Sequence, residues 1–290
     1  MPFNLRWELV FKAKNPDAIL TVKVSAPRLP LPPPPPSPTP PPPPPCTKAL
    51  CGAVSPQNSG AVDLSAVGTS DWTHYGLGDE PKSINRKCNV SRLIQSLKVT
   101  DGSMLSFNND GMTYSWHKGG FEPGTPAAAQ VGSAVGTMDA VWSSAAKGTS
   151  PGGFVFAVDI PAVNVTTSVY VYMGVCGNLA TLNTTLLSMH GSVVGSFEYT
   201  MPSKSAGPYF IATLSIPPAK TPTGKRTLSG RWTQVASDAK TVARNVQFHS
   251  IAVDAGGAIV DGAEVACSHA TSAGAADRVI LQAATLASSQ

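Results

Sequence analysis

"GFVFAVDIPAVNVTTSVYVYMGV", residues 153–175, decides the class of fold. Two runs rich in β-branched and aromatic residues, 153–160 and 167–175, flank a short Pro/Asn/Thr segment, which reads as strand, turn, strand. Similar runs follow at LATLNTTLL (179–187), SFEYT (196–200), YFIATLSI (209–216), RTLSGRWTQV (226–235), VQFHSIAV (246–253) and RVILQAATL (278–286). Others precede it at AVDLSAV (61–67), LIQSLKV (93–99) and MTYSW (112–116). Many short runs with frequent turn signals predict an all-β sandwich or barrel. TQVASDAKTVARN (233–245) is the one helix candidate, equally readable as a loop. VQFHSIAV and VILQAATL are alike in pattern, and either would serve as the closing strand.

Composition agrees. Only 13% of the 290 residues are charged, while Gly (26) and Pro (27) are plentiful. A helical bundle needs charged outer faces and is disfavoured; strands joined by turns are favoured. The net charge of +4 is thinly spread, densest at NRK (85–87) and GKR (224–226). That falls short of a basic stripe for a phosphate backbone, so nucleic acid is not an expected partner. No apolar run approaches the roughly 18 residues of a membrane-spanning helix, so membrane insertion is not expected.

Residues 30–45, PLPPPPPSPTPPPPPP, hold thirteen prolines in sixteen positions. Proline fixes φ and lacks a backbone donor, so the stretch predicts a polyproline II rod about 50 Å long. Ahead of it, RWELVFKA and AILTVKV around KNPD read as a β-hairpin over residues 1–29. The hairpin is either the tail of an upstream module or a strand pair docking on the main domain. The expected organisation is therefore 1–29 hairpin, 30–45 linker and 46–290 sandwich. The first thirty residues lack the apolar core and cleavage site of a secretory signal. Taken alone, that points to the cytosol.

Five cysteines, Cys46, Cys51, Cys88, Cys176 and Cys267, show no CxxC pair and no zinc-ligand spacing to histidine. Two bridges would leave one thiol free, and Cys46 and Cys51 sit where a staple between rod and globular region would fall. Three sequons centre on Asn89, Asn164 and Asn183. With the rod and the low charge they favour secretion, the signal then lying upstream of this chain.

Catalytic patterns are weak. GTSPG (148–152) matches a nucleophile elbow in letters, but Pro151 has no N–H for an oxyanion hole. The histidines at 74, 117, 190, 249 and 269 are scattered singly. NNDGM (108–112) is ordinary turn chemistry, not a calcium loop. No metal, cofactor or catalytic residue is expected.

AVDLSAVGTSDWTHYGL…INRK resembles the opening of a recurring module of secreted multi-domain bacterial proteins, with MTYSW, the 153–175 segment and VILQAATL continuing the likeness over about 60–287. The resemblance implies a galactose-binding-like jelly-roll sandwich, of the kind often appended to carbohydrate-active enzymes and cell-surface proteins. Tyr75 stands where that pattern has tryptophan, and 236–277 is longer than the pattern expects. The rod resembles the hydroxyproline-rich spacers of green-algal matrix and cell-wall glycoproteins.

Within TSDWTHYG, Asp71 and His74 are expected to hold one another or a turn, and Trp72 to plug a core or an edge. Trp72, Tyr75, Asn85, Arg86, Tyr114 and Trp116 are the candidates for a glycan platform, since sugar C–H faces stack on rings while amides and guanidinium groups bond hydroxyls. The expected function is non-catalytic: an extracellular matrix or cell-wall module that adheres to, or weakly binds, polysaccharide or glycoprotein. The alternatives are a structural spacer, a polysaccharide hydrolase or an accessory module of one, and an intracellular polyproline ligand.

Overall fold

The computed structural model describes residues 46–57, 60–77, 83–95, 97–101, 103–108, 111–121, 132–137, 139–144, 152–176, 179–201, 209–219, 224–235 and 245–256. All fall in the compact unit Ser37–Gln290. The expected hairpin, the rod, positions 236–244 of the helix candidate, VILQAATL, and most of GTSPG lie outside these residues.

Among the described residues are sixteen strands and one four-residue helix. The strands are β1 (Cys51–Gln57), β2 (Gly60–Asp63), β3 (Asp71–Tyr75), β4 (Ile84–Lys87), β5 (Lys98–Asp101), β6 (Ser103–Asn108), β7 (Met112–Phe121) and β8 (Gly132–Thr137). They continue with β9 (Asp139–Ser144), β10 (Gly153–Ile160), β11 (Thr167–Cys176), β12 (Ala180–Leu187), β13 (Val193–Thr200), β14 (Tyr209–Ile216), β15 (Arg226–Gln234) and β16 (Asn245–Asp254). The helix α1 is Leu64–Val67.

Two sheets result. One runs β13-β12-β15-β10-β5; the other has the path β1-β14-β11-β16-β3-β4-β7-β2, with β6, β8 and β9 attached beside it. The chain from β10 to β16 crosses repeatedly between the sheets. β3-β16-β11-β14 in one faces β10-β15-β12-β13 in the other, every neighbouring pair antiparallel. Eight strands interleaved in this way over two sheets make a jelly roll. The all-β sandwich expected from sequence is the observed fold.

Period-two alternation builds the space between the sheets. Phe154, Phe156, Val158 and Ile160 of β10 meet Leu228 and Trp232 of β15 and Leu182 and Leu186 of β12 on one side. Val169 and Val171 of β11, Phe210 and Leu214 of β14, and Phe248 and Ile251 of β16 close it from the other. Trp232 donates its indole N–H to Gly174 O (3.1 Å), so its polar atom is satisfied inside the core. Gly230 lies on the same inner face, where a Cβ would stand 2.0 Å from the Phe156 ring; only glycine lets that ring through.

Some expectations need correction. AVDLSAV is not one strand: β2 ends at Asp63, whose carboxylate accepts the Ser65 N–H (2.9 Å) and Ala66 N–H (3.3 Å) and caps α1. DWTHY, absent from the expected strand runs, is β3, a central strand with all five residues buried. Among the described residues of LIQSLKV, Ile94 alone forms a bridge, to Val158, before β5 begins at Lys98. VQFHSIAV pairs with β11 on one side and with β3 and β9 on the other, so it lies inside its sheet.

Candidate functional site

The expected platform residues are gathered by the fold, but beneath the surface. Trp72, Tyr75, Asn85, Arg86, Tyr114 and Trp116 are each at most 3% exposed. No sugar reaches their rings without opening the layer above them, so an exposed stacking platform is not what they form. Alternation along β3 and β4 also divides them. Asp71, Tyr75 and Arg86 point to the inner side of the large sheet, among the core between the sheets. Trp72, Tyr114 and Trp116 belong to a second apolar cluster, on the outer side.

This outer cluster exists because the large sheet doubles back. Tyr114 on β7 and Tyr172 on β11 are four strand spacings apart in hydrogen-bonding order, about 19 Å in a flat sheet. Their ring centroids are 5.8 Å apart. β7 therefore lies over the outer side of β3, β16 and β11. There Trp116 tilts against Trp72 (5.5 Å) and His74 (5.1 Å), and Tyr114 against His249 (5.7 Å). Gly119 permits the approach, since a Cβ there would meet the Trp72 ring at 2.5 Å. α1 is pinned to β7 by Ser65 Oγ, which donates to His117 O and accepts the His117 N–H, both at 2.9 Å.

Asp71 and His74 do not hold one another. Three residues apart on a strand, they point to opposite faces. Asp71 Oδ2 instead accepts the Leu93 N–H (2.9 Å), the Ile94 N–H (3.0 Å) and Arg86 Nη2 (3.4 Å), while Arg86 also donates to Ile94 O (3.3 Å). Burial raises the Asp71 pKa against the pull of Arg86 and these N–H groups. The group ties the 88–97 segment to β3. His74 lies with His249 on the outer side, where a shift of register between Tyr172 and Met173 places His249 at a β-bulge. Burial, helped by nearby His74, lowers the His249 pKa to about 3. Burial likewise pushes the Tyr114 and Tyr172 hydroxyls well above the usual tyrosine range. Among the described residues no cluster of three metal-ligating side chains occurs.

The face that meets solvent is the outer side of the five-stranded sheet. Register builds it in rows. Thr200, Thr181 and Thr233 form one row; Glu198, Asn183, Arg231, Val155 and Lys98 form the next; Ser196, Thr185, Ser229 and Ala157 form a third. Asn183, Arg231, Glu198 and Lys98 are exposed, and Val155 and Ala157 are half-buried. The polar members of LATLNTTLL and RTLSGRWTQV carried this signal, for they alternate with the core residues and must share the opposite face.

The sequon asparagines are all exposed: Asn89 in the bend after β4 with φ 57°, Asn164 between β10 and β11, and Asn183 in mid-β12. Cys46 and Cys51 are bridged, Cys88 is disulfide-bonded as well, and Cys176, exposed, is a free thiol.

No family model and no curated protein matches the chain. Among solved structures it is similar to the enzymatically active domain of tailspike protein 4 of bacteriophage CBA120, with TM-score 0.32 and 11% identity over 55% of this chain and 19% of that one. It is similar too to a carbohydrate-binding module, CBM36, solved with calcium and xylotriose, with TM-score 0.23 and 17% identity over 52% of this chain and 99% of that one. At these scores neither neighbour bears on what this chain binds; the jelly roll rests on the strand order above.

Proposed function

We propose that this chain is a non-catalytic module of an extracellular matrix or cell wall, carried on a proline-rich spacer, with an adhesive role exercised through weak carbohydrate binding. The observation that carries the reading is the outer side of the five-stranded sheet. It is a solvent-facing field of hydroxyl, amide and guanidinium groups around a half-buried Val155 and Ala157. Such groups exchange hydrogen bonds with sugar hydroxyls, while the small apolar strip suits a pyranose C–H face. Polar groups on the sheet here take the role that stacking on Trp72 and Tyr114 would have had. Exposure of Asn89, Asn164 and Asn183 leaves each accessible to glycosylation in a secretory route.

A structural spacer without a ligand is the second reading, favoured by the burial of every ring in the expected platform. Biolayer interferometry of the full chain on immobilised wall polysaccharides separates the two. Binding to at least one polymer is expected, and no binding to any would overturn the proposal in favour of the spacer. Peptide mass spectrometry of the native protein tests the compartment. Hydroxyproline within 30–45 and glycans on Asn89, Asn164 or Asn183 are expected; a bare chain would remove the matrix assignment.

A further inference from the structure

Resting on the carbohydrate-binding reading, we infer that the ligand is an anionic polysaccharide, bearing carboxylate or sulfate groups, with Arg231 and Lys98 as its charge contacts. The middle row of the solvent-facing sheet runs Glu198, Asn183, Arg231, Val155, Lys98. Arg231 and Lys98 are two strand spacings apart, about 10 Å, with the apolar Val155 between them. No carboxylate intervenes; Glu198 stands two spacings away on the other side of Arg231.

Two other cations described near this face are committed locally. Lys225 pairs with Asp159, and Arg226 donates to Pro217 O (3.0 Å). Arg231 and Lys98, in contrast, are exposed and make no hydrogen bond or ion pair among the described residues. A guanidinium so placed offers a planar fork matched to carboxylate or sulfate oxygens, and the ammonium offers a second point charge. Opposite charges directly across from each other would have stabilised the sheet face itself. Here Asn183 separates Glu198 from Arg231, and Val155 separates Arg231 from Lys98, which leaves both cations facing outward.

A single exposed ion contact is weak and screened by salt. A polymer repeats its anion along the chain, so many weak contacts sum through rebinding. Hydroxyls of Thr185, Thr233 and Ser229 on the flanking rows would bond the neutral parts of each sugar unit.

The test is interferometry of the full chain on polygalacturonate, a sulfated galactan, a neutral galactan and a neutral xylan. Preference for one or both acidic polymers is expected, and comparing the two identifies carboxylate or sulfate. Arg231→Gln and Lys98→Gln should each lower affinity several-fold and the double variant further, with thermal midpoints unchanged. Lys48→Gln removes the same charge from the exposed, disulfide-closed loop ahead of β1 and should leave binding intact. Equal loss in Lys48→Gln and Arg231→Gln would overturn the site, showing attraction by net charge alone. Preference for a neutral polymer would overturn the anionic class while sparing the carbohydrate reading. Silence on all four polymers would remove both.

Discussion

The two sides of the large sheet are packed by different chemistry. Its inner side meets the second sheet mainly through aliphatic and phenyl side chains, with the hydrogen-bonded Asp71–Arg86 pair buried beside them, and the Trp232 indole there has its N–H satisfied. Its outer side lies beneath β7 and is filled with two indoles, several tyrosines and two histidines. The Trp72 and Trp116 indole nitrogens, the Tyr172 hydroxyl and the Gln247 carbonyl oxygen find no hydrogen-bond partner among the described residues. Buried polar atoms left unpaired cost free energy, so these four groups offset part of what burial of the outer layer contributes. The contrast teaches that burial and stabilisation are separate quantities: both sides are closed to water, but the inner one is mainly aliphatic and phenyl while the outer one is rich in indole, phenol and imidazole groups.

Substitutions on the two sides should therefore differ. Phe248→Ala empties the meeting point of the Phe154, Phe156 and Tyr75 rings, whose centroids lie 5.6, 5.6 and 5.7 Å from its own. A loss of about 4 kcal/mol is expected, read as a lower urea midpoint. Next comes Asp71→Asn, which leaves Arg86 as a buried charge without its counter-ion. It should cost about 3 kcal/mol, and loosening of 88–97 should appear as faster amide exchange at Leu93 and Ile94. A milder result in either case would mean that the inner side is less tightly built than its packing indicates.

The outer layer should betray itself through pH. The His249 pKa falls from the ordinary 6.5 to about 3 on folding, so below pH 6.5 the unfolded chain binds a proton that the folded one refuses. Stability is thus complete above about pH 6.5 and drains away as pH falls toward 3. Between pH 7.5 and 5.5 this one group should remove about 1.4 kcal/mol, and His249→Gln should erase that share. An unchanged slope in the variant would mean that His249 is hydrated in solution. The smallest effect belongs to Tyr172→Phe, which deletes an unpaired buried hydroxyl and should be neutral or slightly stabilising. Destabilisation beyond about 1 kcal/mol would show that the hydroxyl has a partner and that the two sides are more alike than described.

The strands of the inner core were the most legible in sequence. GFVFAVDI and YFIATLSI coincide with β10 and β14, because dense β-branched and aromatic residues between turn signals leave little choice. β1 escaped notice since Gly52 and Pro56 read as turn residues; an edge strand tolerates proline, and β1 is an edge. β3 is absent from the runs legible in sequence because a strand buried on both faces, with polar residues on each, does not alternate. For the site, Trp72, Tyr114 and Trp116 were candidates on the condition that loops bring them together; strands β3 and β7 bring them together instead, in the interior. Their burial depends on β7 folding across three other strands, a long-range event that no local pattern encodes. Arg231 and Lys98 were passed over because only register, which sequence leaves open, sets them in one row.

Under the proposed function, Asn183 would have two roles that cannot be filled at once. It is the acceptor of a sequon, and it stands beside Arg231 in the middle row of the exposed sheet. A sugar attached there during secretion would spread over the field of hydroxyls and hold the place of any outside chain. On that reading, the fraction of molecules glycosylated at this one position would then set the number of binding-competent copies, a stoichiometric dial separate from the amount of protein made.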